Sequence, residues 1–396
     1  MNALSDVTIL DLTRVLAGPY STMMLADYGA NVIKIEVPGK GDDTRSMGPF
    51  KNGASMYYAN VNRNKKSITL NLKTEEGKKM FLEMVKKADV VVENYRPGVM
   101  DKLGLGYDVL KEVNDQLIYA AVSGFGCYGP KYLRPGYDII AQSYSGLMSI
   151  TGPAGGNPTR VGNAMGDVLG GMNLTIGILM ALHARTVIGH GQRVDVSLVD
   201  SVVSSLETGT QRFFATGKQP ELIGNRYAAA YPYDSFRASD GMFVIGCGND
   251  KLFGLFCNKA INKPELMTDP RFETNPLRCE NHAALKEIIE EWSIQHTIDE
   301  CVSIIDAAGV PVSPINDLPR ITTDEHVAVA REMFVPLHHP VIGDMVVNGN
   351  PVKLMETKAD ISHCAPELGQ HNAEVYGELL GLTEEDLKCL AEEKVI

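Results

Sequence analysis

"VTILDLTRVLAGPYSTMMLADYGANVIKIEV", Val7 to Val37, is the stretch whose reading decides the fold. Its first six residues and its last seven are β-rich apolar runs, and "GPYSTMMLADYG" between them has helical content, with Pro19 near its start. Two strands joined through a helix make a βαβ unit, and parallel neighbours need such a crossover because a tight turn cannot join them. The pattern continues outward. "SITLNL" (67–72) is followed by a helix over 74–88 with Glu75 and Glu76 early and lysines late, as the helix dipole prefers. "DVVVENY" (89–95) and "QLIYAAVSG" (116–124) add further strands. The first 130 or so residues therefore read as a doubly wound, Rossmann-like α/β domain with a parallel sheet.

Beyond a glycine-rich segment, 146–171, an apolar helix runs to about Arg185, with Gly189 and Gly191 past its end; a strand "RVDVSLV" and a helix from about Asp200 follow. From about Leu222 the texture changes. "YDSFRASDGMFVIGCG" reads as a hairpin turning at Ser239, Asp240 and Gly241, helices are expected near 250–260 and 282–293, and "TIDECVSIIDAAGV" closes at Gly309. This is a smaller α+β domain. The tail from Glu325 carries short strands around "MVVNGNPVKL" and an amphipathic helix, "TEEDLKCLAEEKV", opened by a Thr383 cap.

A chain of 396 residues, 44% hydrophobic, has the material for two cores. A formal charge of −12 with no long basic block argues against a nucleic-acid surface, so an anionic ligand must be met by local positive charge. The start, "MNALSDVTILDL", lacks a charged region followed by an apolar one, which leads to the expectation of a cytoplasmic protein. Seven scattered cysteines form no Cys-x-x-Cys pair and no zinc pattern with histidine, so no metal is expected. The most apolar run, Val168 to Leu182, is broken by glycines, Asn173 and Thr175 and falls short of the ~20 residues that cross a bilayer, so no membrane span is expected.

Glu36 at the end of the second apolar run is where an acid would hold a ribose, but "TRVLAGPYS" has one glycine in place of G-x-G-x-x-G. No Gly-x-Ser-x-Gly elbow is present, and His338 and His339 before Pro340 read as a loop. Arg63, Lys65 and Lys66 could anchor a phosphate by charge-assisted hydrogen bonds or could be solvated loop charge. In "RVGNAMGDVLGGMNLT" (160–175) the one acid, Asp167, stands just before the expected helix body, where first-turn N–H groups and the dipole favour its anion. Such a carboxylate is a usable nucleophile, and the same N–H groups in a glycine-rich turn can stabilise an oxyanion on a thioester or anhydride carbonyl. An ordinary acid at a helix start explains these residues equally, and on their own they leave both readings open.

Six blocks together resemble class III coenzyme A transferases, the formyl-CoA transferase or CaiB/BaiF type. They are "LDLTRVLAGPYSTMMLADYGANVIKIEVPGKGDDTR", "NRNKKSITLNLK", "VVENYRPGVMDKLGLGYD", "SGFGCYGP", "GYDIIAQSYSGLM" and "AMGDVLGG". The resemblance runs nearly end to end and is strongest to succinyl-CoA:glutarate and acetyl-CoA:oxalate enzymes, through "GDDTR", "NRNKKSI", "ENYRPG", "ITGP", "GNDKLF" and "GVPVSPIND". It implies an interlocked homodimer. The large CoA-binding domain would be built from 1–200 and 330–396, with a linker helix over 201–221 and a small domain over 222–325.

The resemblance also implies a reaction. CoA passes reversibly from an acyl-CoA of succinyl or acetyl type to a small, dicarboxylic acid, through a mixed anhydride and an aspartyl-CoA thioester on Asp167, with no bound cofactor or metal. Arg14, Leu16 and Ala17 would line the acyl site, Tyr137 and Asp138 would flank the nucleophile, and Gly246 and Gly248 would belong to a mobile glycine loop. The CoA nucleotide would lie against Lys40, Lys65, Asn94, Tyr95 and Lys102. Leu16 departs from the glutamine of formyl-CoA:oxalate enzymes, whose glycine loop is also longer. Tyr137 stands where α-methylacyl-CoA racemases carry a histidine, which argues against the alternative of racemase activity. A non-catalytic CoA-binding protein is the third reading, opposed by Asp167 in its intact glycine context.

Overall fold

The computed structural model describes residues 2–396 and divides the chain into two compact units. The first comprises Met1–Leu147, Arg160–Gln211 and Glu325–Ile396; the second comprises Met148–Thr159 and Arg212–Asp324. Two boundaries differ from the sequence reading. The 201–221 stretch divides at Gln211 and forms no separate linker, and Met148–Thr159 clusters with the second unit, where the Gly152 carbonyl accepts from the Gly224 N–H at 2.9 Å.

The first unit is built on six parallel strands. β1 (Thr8–Asp11), α1 (Ala17–Asp27) and β2 (Asn31–Glu36) form the opening βαβ unit. β3 (Lys66–Thr69), α2 (Glu75–Val85), β4 (Val90–Glu93) and β5 (Ile118–Ser123) follow, then α3 (Asp138–Tyr144), α4 (Met165–Ile188), β6 (Arg193–Ser197) and α5 (Leu198–Ser204). The sheet order is β3-β2-β1-β4-β5-β6. This is the doubly wound 3-2-1-4-5-6 arrangement, in which the crossovers reverse direction between β1 and β4 and leave a crevice at the strands' carboxyl ends.

Alternation along the strands sends Ile9, Val32, Val90 and Ile118 to the face covered by α1 and α4, and Leu10, Ile33, Val91 and Tyr119 to the face covered by α2. Both faces are buried, which is why these strands read in sequence as unbroken apolar runs. α2 starts where expected: Thr74 Oγ1 accepts from the Gly77 N–H at 3.0 Å, and Glu75 and Glu76 occupy its first turn. α4 has 24 residues and is long and apolar enough to cross a membrane by length and composition. In this fold it packs on α1, β5, β6 and α5, and Arg185 near its end bonds Asp89 at 2.9 Å.

The second unit holds the expected hairpin, β7 (Tyr233–Arg237) and β8 (Met242–Gly246), with helices α6 (His282–Ser293) and α7 (Ile298–Ala307) and a third strand, β9 (Val312–Pro314), against β8. Its core is aromatic, with Phe236, Phe243, Phe253, Phe256 and Phe272 fully enclosed. The tail returns to the first unit as a hairpin, β10 (Phe334–His339) and β11 (Gly343–Asn348), and two helices, α8 (Asn372–Leu380) and α9 (Glu384–Glu392). His338 and His339 therefore end a strand and do not sit in a loop, because their partners in β11 pair through Gly343.

A chain of buried charges lies under the turn between β1 and α1. Lys65 Nζ donates to Asp11 Oδ2 (3.1 Å), the Pro19 carbonyl (3.1 Å) and Asn62 Oδ1 (3.0 Å); Lys34 Nζ donates to the Thr13 carbonyl and pairs with Asp42, both at 2.8 Å. Burial opposes ionisation of Asp11, but Lys65 and Lys34 outweigh it and hold the carboxyl below its ordinary range. Burial likewise presses Lys65 down to about 8 against the pull of Asp11. This corrects the assignment of Lys65 to the CoA nucleotide: its three donors are spent inside the protein and its side chain has no exposed surface. Removing one partner of such a pair strands the other charge. Lys65→Met should lower the unfolding free energy by about 3–5 kcal/mol in urea titrations while CoA affinity of the folded protein stays unchanged.

Candidate active site

Asp167 is the third residue of α4, inside its first turn and not ahead of the helix as the sequence suggested. The turn is capped from outside. Asp138 Oδ1 accepts from the Gly166 N–H at 2.8 Å, while Gln142 Nε2 donates to both Asp138 oxygens at 2.9 and 3.1 Å. The Met165 and Val168 N–H groups bond the Asn163 and Ala164 carbonyls. The expectation that this turn supplies free oxyanion donors is thus overturned for those three amides.

The glycines after Asp167 do packing work. A methyl on Gly171 would stand 2.6 Å from the Ala17 carbonyl oxygen, and one on Gly170 would stand 2.4 Å from Leu198 Cδ2. Their absence of side chains lets α4 lie directly on α1 and α5, which brings Asp167 beside the start of α1. Burial, and then the neighbouring Asp138 carboxylate, push the Asp167 carboxyl up to about 7. The helix start alone would hold it ionised. Desolvation and a like charge win because the dipole contributes only a fraction of a charge at one end.

Asp167 lines a cavity of about 170 Å³ at the carboxyl ends of β1, β4 and β5, by the crevice where the sheet's winding reverses. Arg14, Leu16, Ala17 and Tyr137 line it too, so these expected acyl-site residues converge with Asp167. Val15 at the turn has φ 68°, a left-handed conformation that a β-branched residue adopts only under constraint. The constraint is visible. Asn94 Oδ1 accepts from the Arg14 N–H at 2.8 Å, its Nδ2 donates to the Arg14 carbonyl at 2.6 Å, and the Val15 N–H bonds Asp42 Oδ1 at 3.2 Å. Asn94 therefore clamps the Arg14 backbone, a role different from the nucleotide contact expected of it. Leu16 caps α1 with no side-chain hydrogen bond, so the first turn of α1 has no side-chain cap where Leu16 and Ala17 line the cavity.

Tyr95 lines the same cavity, with the Arg14 guanidinium 5.4 Å from its ring centre. Lys40 is outside it but pairs at 2.8 Å with Asp43, which is a lining residue and also bonds Arg14 Nη1 at 3.1 Å. Lys102 is exposed at the end of a short helix, Val99–Lys102, away from the lining. Gly246 and Gly248 belong to the second unit, where the Gly246 N–H bonds the Pro311 carbonyl at 2.9 Å and Gly248 has open space around it. Glu36 is fully engaged by Arg45 (2.7 and 2.8 Å), Ser67 Oγ (2.6 Å) and the Asp42 N–H (2.9 Å), which leaves nothing for a ribose.

Sequence reasoning missed several lining residues. Arg96 and Arg134 add two cations, and each opens an Arg-Pro-Gly tripeptide, a repeated signal that could have found them. Ser123 ends β5 at the cavity. Tyr57 feels the Asp167 charge: burial first, then Asp167 and Asp42, drive its phenol up to about 12, so it remains a protonated donor.

Comparison with known proteins matches the model of CoA-transferase family III over residues 4–372. The chain belongs to CoA-transferase family III. It is 46% identical over 347 residues to the acetyl-CoA:oxalate CoA-transferase of Acetobacter aceti, covering 87% of each chain. It is 39% identical to the succinyl-CoA:glutarate CoA-transferase of Mus musculus, covering 98% of this chain and 90% of that one. Among solved structures, a CaiB/BaiF family protein from Brucella suis superposes with a TM-score of 0.85 at 36% identity, covering 96% of this chain and all of the other.

A family III CoA-transferase that uses a carboxylate as nucleophile needs it ionised, and here the raised Asp167 pKa gives the sign. With a midpoint near 7, the ionised fraction of Asp167 grows as pH rises and is small below pH 6. kcat/KM for the acyl-CoA should climb about tenfold between pH 6 and 8, and Asp138→Asn, which keeps a cap acceptor and removes the like charge, should move that midpoint downward.

Proposed function

We propose that the protein moves CoA reversibly from a succinyl-CoA or acetyl-CoA type donor to a small dicarboxylic acid, with Asp167 as nucleophile. The observation that carries this reading is the convergence of Asp167 with Arg14, Leu16, Ala17 and Tyr137 on one cavity. Relatives named for oxalate and glutarate support the acid class.

The steps balance without a metal or redox centre. The Asp167 carboxylate attacks the donor thioester carbonyl; the C–S bond breaks, giving a mixed anhydride and CoA thiolate. The thiolate attacks the aspartyl carbonyl, releasing the donor acid and leaving an aspartyl-CoA thioester. The acceptor carboxylate attacks that thioester and re-forms an anhydride, and the thiolate then takes the acceptor acyl group, which frees Asp167. Amides at the start of α1, by Leu16 and Ala17, stabilise the oxyanions, since the Met165, Gly166 and Val168 amides of α4 are occupied. A cavity of about 170 Å³ is below the size of whole-ligand pockets, so it receives the acyl end of CoA while the nucleotide lies outside. Tyr95 and Lys40, through Asp43, stand on that route, and CoA is a substrate, with no resident cofactor.

We also infer a homodimer. Met172, Ile176, Leu179 and Met180 expose apolar surface along α4, with Met180 67% exposed, and Ile139, Ile140 and Tyr144 do so on α3. A second copy would cover these faces, which explains an apolar helix whose outer side the first unit leaves bare. Sedimentation should give twice the chain mass, and a Met180→Glu variant should shift it towards one.

Asp167→Ala should abolish CoA exchange and still bind CoA. Hydroxylamine or borohydride added with acyl-CoA should modify Asp167 in the wild-type chain and nothing in the variant; turnover retained by Asp167→Ala would sink the nucleophile assignment.

A further inference from the structure

Arg14 and Ser123 both line the cavity, and each carries a buried polar atom with no hydrogen-bond partner among the described residues: Arg14 Nε and Ser123 Oγ. Leaving a buried hydroxyl unpaired costs about 1–3 kcal/mol, so a chain that keeps one at a ligand cavity retains it against a stability gain. Both residues have a fixed backbone. The Arg14 backbone is clamped by Asn94, its Nη1 bonds Asp43 and its guanidinium lies over Tyr95, while Nε is buried and unpaired among the described residues. Ser123 is the last residue of β5, held by its pairing to Ser197 of β6. The backbone beside it is closed off, since a methyl on Gly124 would stand 2.6 Å from Gly136 Cα.

Charge says what this wall would take. Arg14, Arg96 and Arg134 line the cavity against Asp43 and Asp167, and Asp43 is shared by Arg14 and Lys40. An acid with a single carboxylate uses it at Asp167 and brings nothing for the wall. A dicarboxylic acyl group brings a second carboxylate, an acceptor for two donors.

We propose that Ser123 is a specificity-determining residue whose hydroxyl, with Arg14 Nε, receives the distal carboxylate of a dicarboxylic acyl group. The inference rests on the acyl-transfer reading above, and it assigns the far end of the substrate where that reading assigned the reacting end. Neither proton nor bond changes at Ser123: the serine donates one hydrogen bond, and Arg14 donates the other. A site built to bond a substrate group discriminates against the analogue that lacks it, because its own donors are then left unpaired.

The test uses the full chain with Ser123→Ala, assayed with succinate and glutarate and with the monocarboxylates butyrate and acetate as acceptors. A hydrogen bond to a charged group is worth about 1.5–3 kcal/mol, so kcat/KM for the dicarboxylates should fall about 10- to 150-fold, mainly through KM. The monocarboxylates should stay within about twofold. The thermal midpoint of Ser123→Ala should equal or exceed that of the wild type, because the change removes an unpaired buried hydroxyl. Ser123→Thr, which keeps the hydroxyl, should keep more of the dicarboxylate preference than Ser123→Ala does. Equal losses on both acid classes, unchanged selectivity, or a lowered midpoint would overturn the proposal. Failure here with Asp167→Ala still inactive leaves the nucleophile standing, whereas turnover by Asp167→Ala removes the reading beneath it.

Discussion

The turn between β1 and α1 depends on charges buried beneath it. Asp11 accepts from the Thr13 N–H and Oγ1 and from Thr22 Oγ1, Lys65 ties Asp11 to the Pro19 carbonyl, and Lys34 reaches up from β2 to the Thr13 carbonyl. Each ion is expensive to bury, and only the closed set of partners makes the arrangement affordable in free energy. The result is a turn that cannot relax, with Val15 held at positive φ and Arg14 and Leu16 presented to the cavity on either side. Preorganisation of this kind is what an acyl-transfer site needs, since donors that must reorganise during the reaction contribute less.

Close backbone approach is the second constraint. Gly170 and Gly171 let α4 sit on α5 and α1, and Gly124 meets Gly136 where the loop before α3 crosses the end of β5. These contacts bring together three segments far apart in sequence, carrying Arg14, Tyr137 and Asp167. The glycines after Asp167 therefore set the distance between helices.

Asp167 then inherits an environment that its own helix does not control. The cap on its turn is itself a carboxylate, Asp138, so the group that orders the helix start also opposes ionisation of the residue beside it. Arg14, Arg96 and Arg134 line the same cavity and bring positive charge to its wall. A carboxylate with its midpoint near neutrality is less solvated and more basic once ionised than one held far below it.

Much of this was legible in the chain. The βαβ rhythm of Val7 to Val37, the capped start of α2 and the turn at Gly241 follow from local periodicity and capping, which act within a few residues. Asp167 stood out as a lone acid at a glycine-rich helix start, and the matching blocks pointed to its chemistry. What the chain could not say was which charges are spent internally. Lys65 and Lys40 look alike in sequence, yet one is sealed against Asp11 and the other is in solvent; Asn94 turned out to hold a backbone, and Ser123 and Arg134 gained meaning only beside Arg14. Sequence determines periodicity and residue chemistry because both are local. Burial, pairing and the pKa of Asp167 were decided by tertiary structure, because they depend on which distant groups share the low-dielectric space around each charge.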